Sequence, residues 1–179
     1  MVKRGLSVAT IAAQAGGYID AASGGVVPPI QPSTTFARDR NYALHASGNI
    51  YSRDDNDVGR VAEGLLAQLD NAQAALLFPN GMAAIAAVFR ALPTEACVLV
   101  QSQIYWGTTK WLREFCTRRG LVLVEAQLSD PAQMEQLCVA HKPDLVFIET
   151  PSNPWLRSTD IAHAAGCVHS HGGRLVVDA

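Results

Sequence analysis

The sequence predicts an α/β fold in which helices cover a mostly parallel, doubly wound sheet, preceded by an extended N-terminal arm. From Val58 onward, apolar runs of strand length alternate with helical stretches, an order typical of right-handed crossovers between parallel strands. The runs are apolar throughout, as expected of strands buried on both faces. The length of 179 residues corresponds to about one domain.

The predicted arm covers residues 1–57. This part is rich in Gly, Pro, Ser and Asn and contains the stretch GGVVPPIQPSTTF. Pro28, Pro29 and Pro32 exclude a regular helix there, because proline lacks the backbone N–H and clashes with the preceding turn. We therefore expect an extended segment that reaches across a neighbouring body.

The elements after the arm are predicted from hydrophobic periodicity. The first is a helix from Val58, whose apolar residues share one face: Val58, Val61, Leu65, Leu66 and Leu69. Five strand-length runs follow: AALLF (74–78), CVLVQ (97–101), LVLVE (121–125), DLVFIE (144–149) and RLVVD (174–178). Helices are predicted between them near residues 81–91, 107–119, 131–141 and 158–171.

Composition excludes several classes of partner. A formal net charge of −2 gives no basic face for nucleic acid. No apolar segment is long enough for a signal peptide or a membrane span, so we expect a cytoplasmic protein. Charged residues make up only 17% of the chain, below the usual quarter or so, which predicts that apolar surface is covered by another subunit or by further chain.

Cysteine and histidine patterns predict neither disulfides nor a metal site. Cys97 and Cys138 lie in apolar runs, and the four cysteines form no C-x-x-C pair, which favours buried reduced thiols. His169 and His171 are two residues apart on a predicted helix and therefore do not share a face.

Ligands of open α/β sheets bind at the carboxyl ends of the strands. In FPNGMAAI (78–85), Gly81 permits close backbone approach, and the start of a helix there suits a phosphate; an ordinary turn is the simpler alternative. The glycine-rich dinucleotide motif, the P-loop and the G-x-S-x-G elbow are all missing from the sequence.

Two further loops follow predicted strands. Tyr105, in SQIYWGTTKW, could stack on a flat ring or could be a core aromatic. Asn153, in ETPSNP, offers an amide to a polar ligand atom or initiates a turn before Pro154.

Asp178 lies at the tip of the last apolar run. A carboxylate there loses hydration unless it is paired. A protonated heterocyclic nitrogen would pair it, as an acid does opposite the pyridinium of pyridoxal phosphate (PLP). The alternative is a cap for a following helix. At the end of the arm, Tyr51 and Arg53 in IYSRDDN (50–56) could contact a phosphate or belong to a solvated loop.

The order of these motifs resembles the Cys/Met-metabolism family of PLP-dependent enzymes, which includes cystathionine γ-synthase, β-lyase and γ-lyase. The matching stretches are VVPPIQPSTTF, YSR, NGMAAI, YWGTTKWL, ETPSNPWLRSTDI and RLVVDA, and the resemblance runs from about Leu6 to Ala179. It implies the large domain of the fold-type-I PLP enzymes, a small amino-acid substrate, and assembly as a dimer of dimers, with no nucleic-acid or membrane partner.

The resemblance also implies residue roles. Gly81 and Met82 would donate backbone N–H groups to the cofactor phosphate, and Tyr105 would stack on the pyridine ring. Asn153 would hydrogen-bond near the ring hydroxyl, and Asp178 would pair with the ring nitrogen.

Two further residues, Tyr51 and Arg53, would reach the phosphate from the neighbouring subunit. Either Tyr51 or Tyr105 would assist proton transfer in catalysis. No metal is implied.

The chain also departs from the family pattern. Asn80 replaces the usual Ser of Ser-Gly-Met, and Trp106 replaces a Gly beside Tyr105. The family's Schiff-base lysine lies downstream of the Asp, and none of Lys3, Lys110 and Lys142 matches it.

We therefore expect residues 58–179 to be the first part of the PLP-binding large domain and this chain alone to be inactive. The full-length protein would catalyse β/γ-elimination or replacement on sulfur amino acids. A non-catalytic remnant or interaction module is one alternative. A nicotinamide-dependent enzyme is another, and it would need a glycine-rich first turn.

Overall fold

The computed structural model describes residues 6–45 and 48–179. Residues 1–5, with Lys3, and residues 46–47 of the predicted arm lie outside the described residues. The chain divides into two compact units, Met1–Pro79 and Asn80–Ala179. The boundary drawn from the sequence after residue 57 stays a prediction.

The unit Met1–Pro79 contains two α-helices in its described residues. Helix α1 (Val8–Ala13) begins at Ser7, whose hydroxyl accepts the Thr10 N–H at 3.2 Å. It is followed by a 3₁₀ turn at Ala15–Gly17. Helix α2 (Asp57–Leu69) begins at Asn56, whose side chain accepts the Gly59 N–H at 2.7 Å. Hydrophobic periodicity predicts α2 but not α1.

The remainder of this unit is irregular where it is described. Isolated antiparallel bridges join Thr35 to Tyr51 and Arg38 to Leu44. The strand predicted at 74–78 is wrong: these residues form no strand, and Leu76 is 74% exposed. A strand requires a neighbouring strand to complete its hydrogen bonds, and no such partner pairs with this segment among the described residues.

The unit Asn80–Ala179 is built on a four-stranded parallel sheet with strand order β2-β1-β3-β4. The strands are β1 (Cys97–Gln101), β2 (Val122–Ala126), β3 (Leu145–Glu149) and β4 (Arg174–Asp178). Parallel pairing and alternation with helices confirm the predicted α/β class.

Four helices connect and cover these strands: α3 (Gly81–Arg90), α4 (Trp106–Arg119), α5 (Pro131–His141) and α6 (Ile161–Ser170). Helix α6 begins later than predicted, because Asp160 caps it by accepting the His163 N–H at 3.0 Å. Within the described residues, no helix is both long and apolar enough to cross a bilayer.

The core lies on both faces of the sheet. Val98, Val100 and Phe147 pack toward α3 and α4, and Val146 and Ile148 pack toward α5 and α6. This alternation follows from the two-residue period of a strand. Each such side chain contributes about 1.5–3 kcal/mol by burial.

The prediction that every strand is buried on both faces is wrong for the outer two. Strands β1 and β3 are buried almost throughout, whereas β2 and β4 begin at exposed residues and are otherwise half-buried. The reason is position, since β2 and β4 are the outer strands of the described sheet.

The cysteines of this unit are free thiols. Cys116 and Cys138 are buried, whereas Cys97, predicted to be buried, is half-buried at the start of β1. Burial and the neighbouring Cys167 thiol raise the pKa of Cys138 to about 12, which keeps it protonated at neutral pH.

Candidate functional site

A cavity of about 520 Å³ lies in the unit Asn80–Ala179, beside the carboxyl ends of β3 and β4. Its lining combines a helix start, an aromatic ring, an amide and two carboxylates. The lining residues are Asn80, Gly81, Met82, Ile85, Tyr105, Thr108, Glu149, Pro151, Asn153, Asp178 and Ala179.

One wall is the N-terminus of α3. The Asn80 side chain accepts the Ala83 N–H at 2.8 Å and fixes the first turn. The N–H groups of Gly81 and Met82 precede any intrahelical acceptor, so they are available to a ligand. No atom lies within 4 Å of the position that a Cβ on Gly81 would occupy. Together with the helix dipole, these features favour an anion such as a phosphate.

A second wall is formed by Tyr105, which precedes α4. Its side chain is 39% exposed, and it lies against Gly107: a Cβ on Gly107 would be 2.5 Å from the ring carbon Cε1. The Trp106 ring is tilted against that of Tyr105, with centroids 5.8 Å apart, and is 68% exposed. Trp106 does not line this cavity, so the Tyr105 ring is accessible beside it.

Asp178 and Glu149 are paired residues of adjacent parallel strands. Loss of hydration raises the pKa of the Asp178 carboxyl, and the negative charge of Glu149 raises it further. Two carboxylates side by side at the end of a sheet therefore attract a cationic group into this part of the cavity.

Glu149 is the residue that sequence reasoning missed. It is only 6% exposed, and its carboxylate accepts the Tyr105 N–H at 2.9 Å and the Asn153 N–H at 2.5 Å. The available signal was its position, because Glu149 ends an apolar run just as Asp178 does.

Five of the seven predicted site residues line this one cavity: Gly81, Met82, Tyr105, Asn153 and Asp178. The other two, Tyr51 and Arg53, lie in the unit Met1–Pro79 and contact each other. The Arg53 Nη2 donates to the Tyr51 hydroxyl at 3.2 Å, and the guanidinium lies 5.1 Å from the ring centroid. The role of each of the seven stays a prediction. In the parts of the chain that the structure describes, no cluster of His, Cys, Asp or Glu is suited to a metal ion.

Known proteins are similar to this chain in sequence and in fold. Cystathionine gamma-lyase of Bos taurus is 36% identical over 152 residues, which is 85% of this chain and 37% of that protein. A probable cystathionine gamma-synthase of Herpetosiphon aurantiacus is 32% identical over 172 residues, which is 95% of this chain and 52% of that protein. The chain thus spans about half or less of the length of these relatives.

Solved structures agree. Cystathionine gamma synthase from Xanthomonas oryzae pv. oryzae, in complex with cystathionine, superposes with a TM-score of 0.86 at 31% identity and covers 97% of this chain and 44% of its own. The cystathionine gamma-lyase CalE6 from Micromonospora echinospora gives 0.85 at 33% identity, with 97% and 45% covered.

The family model for Cys/Met metabolism PLP-dependent enzymes matches residues 9–179. With the parallel sheet and the lining of the cavity, this match confirms the resemblance drawn from the motifs: the chain belongs to the Cys/Met metabolism family of PLP-dependent enzymes.

Proposed function

We propose that this chain is the first part of the cofactor domain of a PLP-dependent enzyme that eliminates or replaces a β- or γ-substituent of a sulfur amino acid. The observation that carries the proposal is the meeting of Gly81, Met82, Tyr105, Asn153 and Asp178 in one cavity of about 520 Å³. That volume is within the usual range of small-molecule sites.

The residues of the cavity fit PLP by their chemistry. The cofactor has a phosphate, a flat ring and a basic ring nitrogen. The cavity offers the free N–H groups at the start of α3, the accessible Tyr105 ring and the Asp178 carboxylate. When bound, PLP supplies an electron sink for the negative charge that develops at the substrate Cα.

The residues of the chain would bind and orient that cofactor. Gly81 and Met82 donate N–H groups to the phosphate, and Tyr105 stacks on the ring. The Asn153 amide donates near the ring hydroxyl. Asp178 holds a proton on the ring nitrogen, and the Glu149 charge beside it favours the same protonated nitrogen.

Tyr105 and Tyr51 are the proposed proton-transfer residues. A Tyr105→Phe substitution in the whole protein removes the hydroxyl and keeps the ring. Stacking on the cofactor should therefore survive, while the turnover of the sulfur amino acid should fall. Unchanged turnover in Tyr105→Phe would leave Tyr51 as the remaining candidate, and Tyr51→Phe is the matching variant.

Tyr51 and Arg53 would bind the phosphate from a neighbouring subunit of a dimer of dimers. The contact between the Arg53 guanidinium and the Tyr51 hydroxyl supports a joint role, because it presents two donors together. Mixing an Arg53→Ala subunit with an Asp178→Asn subunit of the whole protein tests this. If Arg53 serves the site of the neighbouring subunit, half of the randomly mixed dimers contain one subunit of each kind, and one of the two sites in such a dimer is fully wild type. About a quarter of all sites would then regain activity. If Arg53 serves its own subunit, no site would regain activity.

The substrate proposal rests on the relatives, which are cystathionine lyases and a probable synthase. We propose cystathionine or a related sulfur amino acid, and roles in transsulfuration or methionine biosynthesis in the cytoplasm.

The direct experiment loads the whole protein with PLP and measures thiol release from cystathionine. The replacement reaction, in which the thiol of cysteine displaces the acyl carboxylate of an O-acylated homoserine to form cystathionine, is measured in parallel. Release favours a lyase and formation favours a synthase. Loaded protein that does neither would refute cystathionine as substrate and product, and loaded protein that also releases no thiol from methionine, cysteine or homocysteine would refute the proposed function.

A further inference from the structure

The buried carboxylate of Glu149 has two backbone partners on two different loops. Its Oε2 accepts the N–H of Tyr105, forty-four residues earlier, and its Oε1 accepts the N–H of Asn153. The described residues place no Lys, Arg or His in an ion pair with Glu149. Both carboxylate oxygens thus accept backbone N–H groups, which avoids the cost of burying them without hydrogen-bond partners.

Capping of α4 accounts for only one of these bonds. Tyr105 is the residue that precedes α4, and its own side chain makes no capping bond. Oε2 of Glu149 accepts the N–H of Tyr105 itself from another strand, which places a negative charge near the positive end of the helix. Oε1 is not needed for a cap, and it holds the ETPSNP loop instead.

The backbone of Glu149 is also fixed. Its carbonyl oxygen accepts the Gln101 side-chain N–H at 3.1 Å, and the Gln101 side-chain oxygen accepts the Thr159 hydroxyl at 3.3 Å. Gln101 is the last residue of β1 and is 2% exposed. The carboxylate therefore projects from a rigid point on the two central strands of the sheet.

We propose that Glu149 is a positioning residue of the cofactor site, which joins the loop of Tyr105 to the loop of Asn153 through the two oxygens of one buried carboxylate. This inference rests on the proposed function for its ligand, but the bridge itself does not depend on a ligand. A site of this kind requires its binding groups to be held within about 0.5 Å. Glu149 supplies that constraint for the ring-stacking and amide groups together.

The test begins on the whole protein before PLP is added. In the wild type, the amide protons of Tyr105 and Asn153 should resonate downfield and exchange slowly, as expected of bonds to a carboxylate. Glu149→Gln keeps the shape but offers one acceptor oxygen, so at least one of the two amides should move upfield. Glu125→Gln is the matched control. Glu125 lies on β2, forms an ion pair with Arg113 of α4 and does not line the cavity.

Affinity for PLP is then measured by calorimetry, and the orientation of the bound ring by its induced circular dichroism. We expect Glu149→Gln to weaken binding about tenfold or more and to change the dichroism, while Glu125→Gln does neither. Glu149→Asp keeps the charge, but the Asp side chain is too short to reach both loops. This variant should therefore not restore the wild-type affinity for PLP or the wild-type dichroism. Rescue by Asp would mean that charge, and not the bridge, is what matters.

The outcomes separate the two proposals. If the wild-type protein binds no PLP but the two amides shift in Glu149→Gln, the proposed function fails and the bridge stands. If the wild type binds PLP and Glu149→Gln binds it equally with the same dichroism, the positioning role fails and the proposed function stands. Ordinary amide shifts in the wild type would refute the bridge without any variant.

Discussion

Substitution of Gly107 by Ala should displace the Tyr105 ring without removing any of its atoms. An added Cβ would lie 2.5 Å from Cε1 and 3.0 Å from Cζ of that ring. Because carbon atoms in contact are separated by about 3.5 Å or more, the ring edge has to move by about 1 Å. The obstacle is the end of a flexible side chain, so the ring can rotate away while the backbone of α4 stays in place.

The effects on stability nearly cancel. An off-rotamer Tyr105 costs about 0.5–1.5 kcal/mol. Replacement of a helical glycine by alanine returns about 0.5–1 kcal/mol, and Gly107 lies inside α4. We therefore expect an unfolding free energy within about 1 kcal/mol of wild type.

PLP binding should weaken by up to about tenfold, because a stacked aromatic pair contributes about 0.5–1.5 kcal/mol and about 1.4 kcal/mol corresponds to a tenfold change in affinity. The assay combines urea unfolding, followed by far-UV circular dichroism, with calorimetric titration of PLP. Gly166→Ala in α6 is the control, since it also replaces a helical glycine and nothing outside the backbone of its own helix and its chain neighbours lies within 4 Å of its Cβ position. A Gly107→Ala chain that binds PLP as tightly as Gly166→Ala would refute stacking on Tyr105.

Three further predictions concern other parts of the same unit. The raised pKa of the Asp178 carboxyl means that the folded state binds its proton more tightly than the unfolded state, so its contribution to stability is lost as pH rises above the ordinary value of 3.8. In urea unfolding at a series of pH values, the free energy of unfolding of Asp178→Asn should rise relative to wild type as pH rises. A difference in unfolding free energy that does not change with pH would contradict this. Asp178→Asn should also bind PLP more weakly. Gly81→Ala should leave the fold intact but obstruct a phosphate at the start of α3. Calorimetry should therefore show weaker binding of PLP and unchanged binding of pyridoxal, which lacks the phosphate. Equal losses of affinity for both ligands would argue against a phosphate at this position. Phe147→Ala should lower the unfolding free energy by about 3–5 kcal/mol, because Phe147 is fully buried and its ring centroid lies 5.7 Å from that of Phe89. A loss below about 1 kcal/mol in urea unfolding would mean that neighbouring core side chains fill the cavity left by the ring.

The sequence predicted the sheet well because its strands are short apolar runs separated by clear caps. Asp130 precedes α5 and Gly120 ends α4 in the left-handed region at φ 73°, and these two bounds agree with the prediction. Parallel strands place their carboxyl ends at one edge, so the order of the runs along the chain was enough to group the residues that follow them into one site.

Two of the failures depend on hydrogen-bond partners that composition does not reveal, and the third on the length of a helix. The run 74–78 is as apolar as a true strand, but strand formation requires hydrogen bonds from a neighbour that composition does not reveal. Glu149 was passed over because its role is defined by the N–H groups of Tyr105 and Asn153. Helix α1 has only six residues, too few for a periodic pattern to stand out.

The pairing of β3 with β4 places Val177 beside Ile148 and Asp178 beside Glu149. Since neighbouring residues of a strand point to opposite faces, a slip of one residue would turn Asp178 away and present Val177 in its place. A slipped chain could still bury apolar side chains, but the cavity would lose the carboxylate of Asp178, which we propose to pair with the ring nitrogen.

A ligand that binds only the correct register stabilises that register in proportion to the logarithm of its concentration. Bound PLP would then stabilise the native register relative to a slipped one, by an amount that rises with the concentration of PLP.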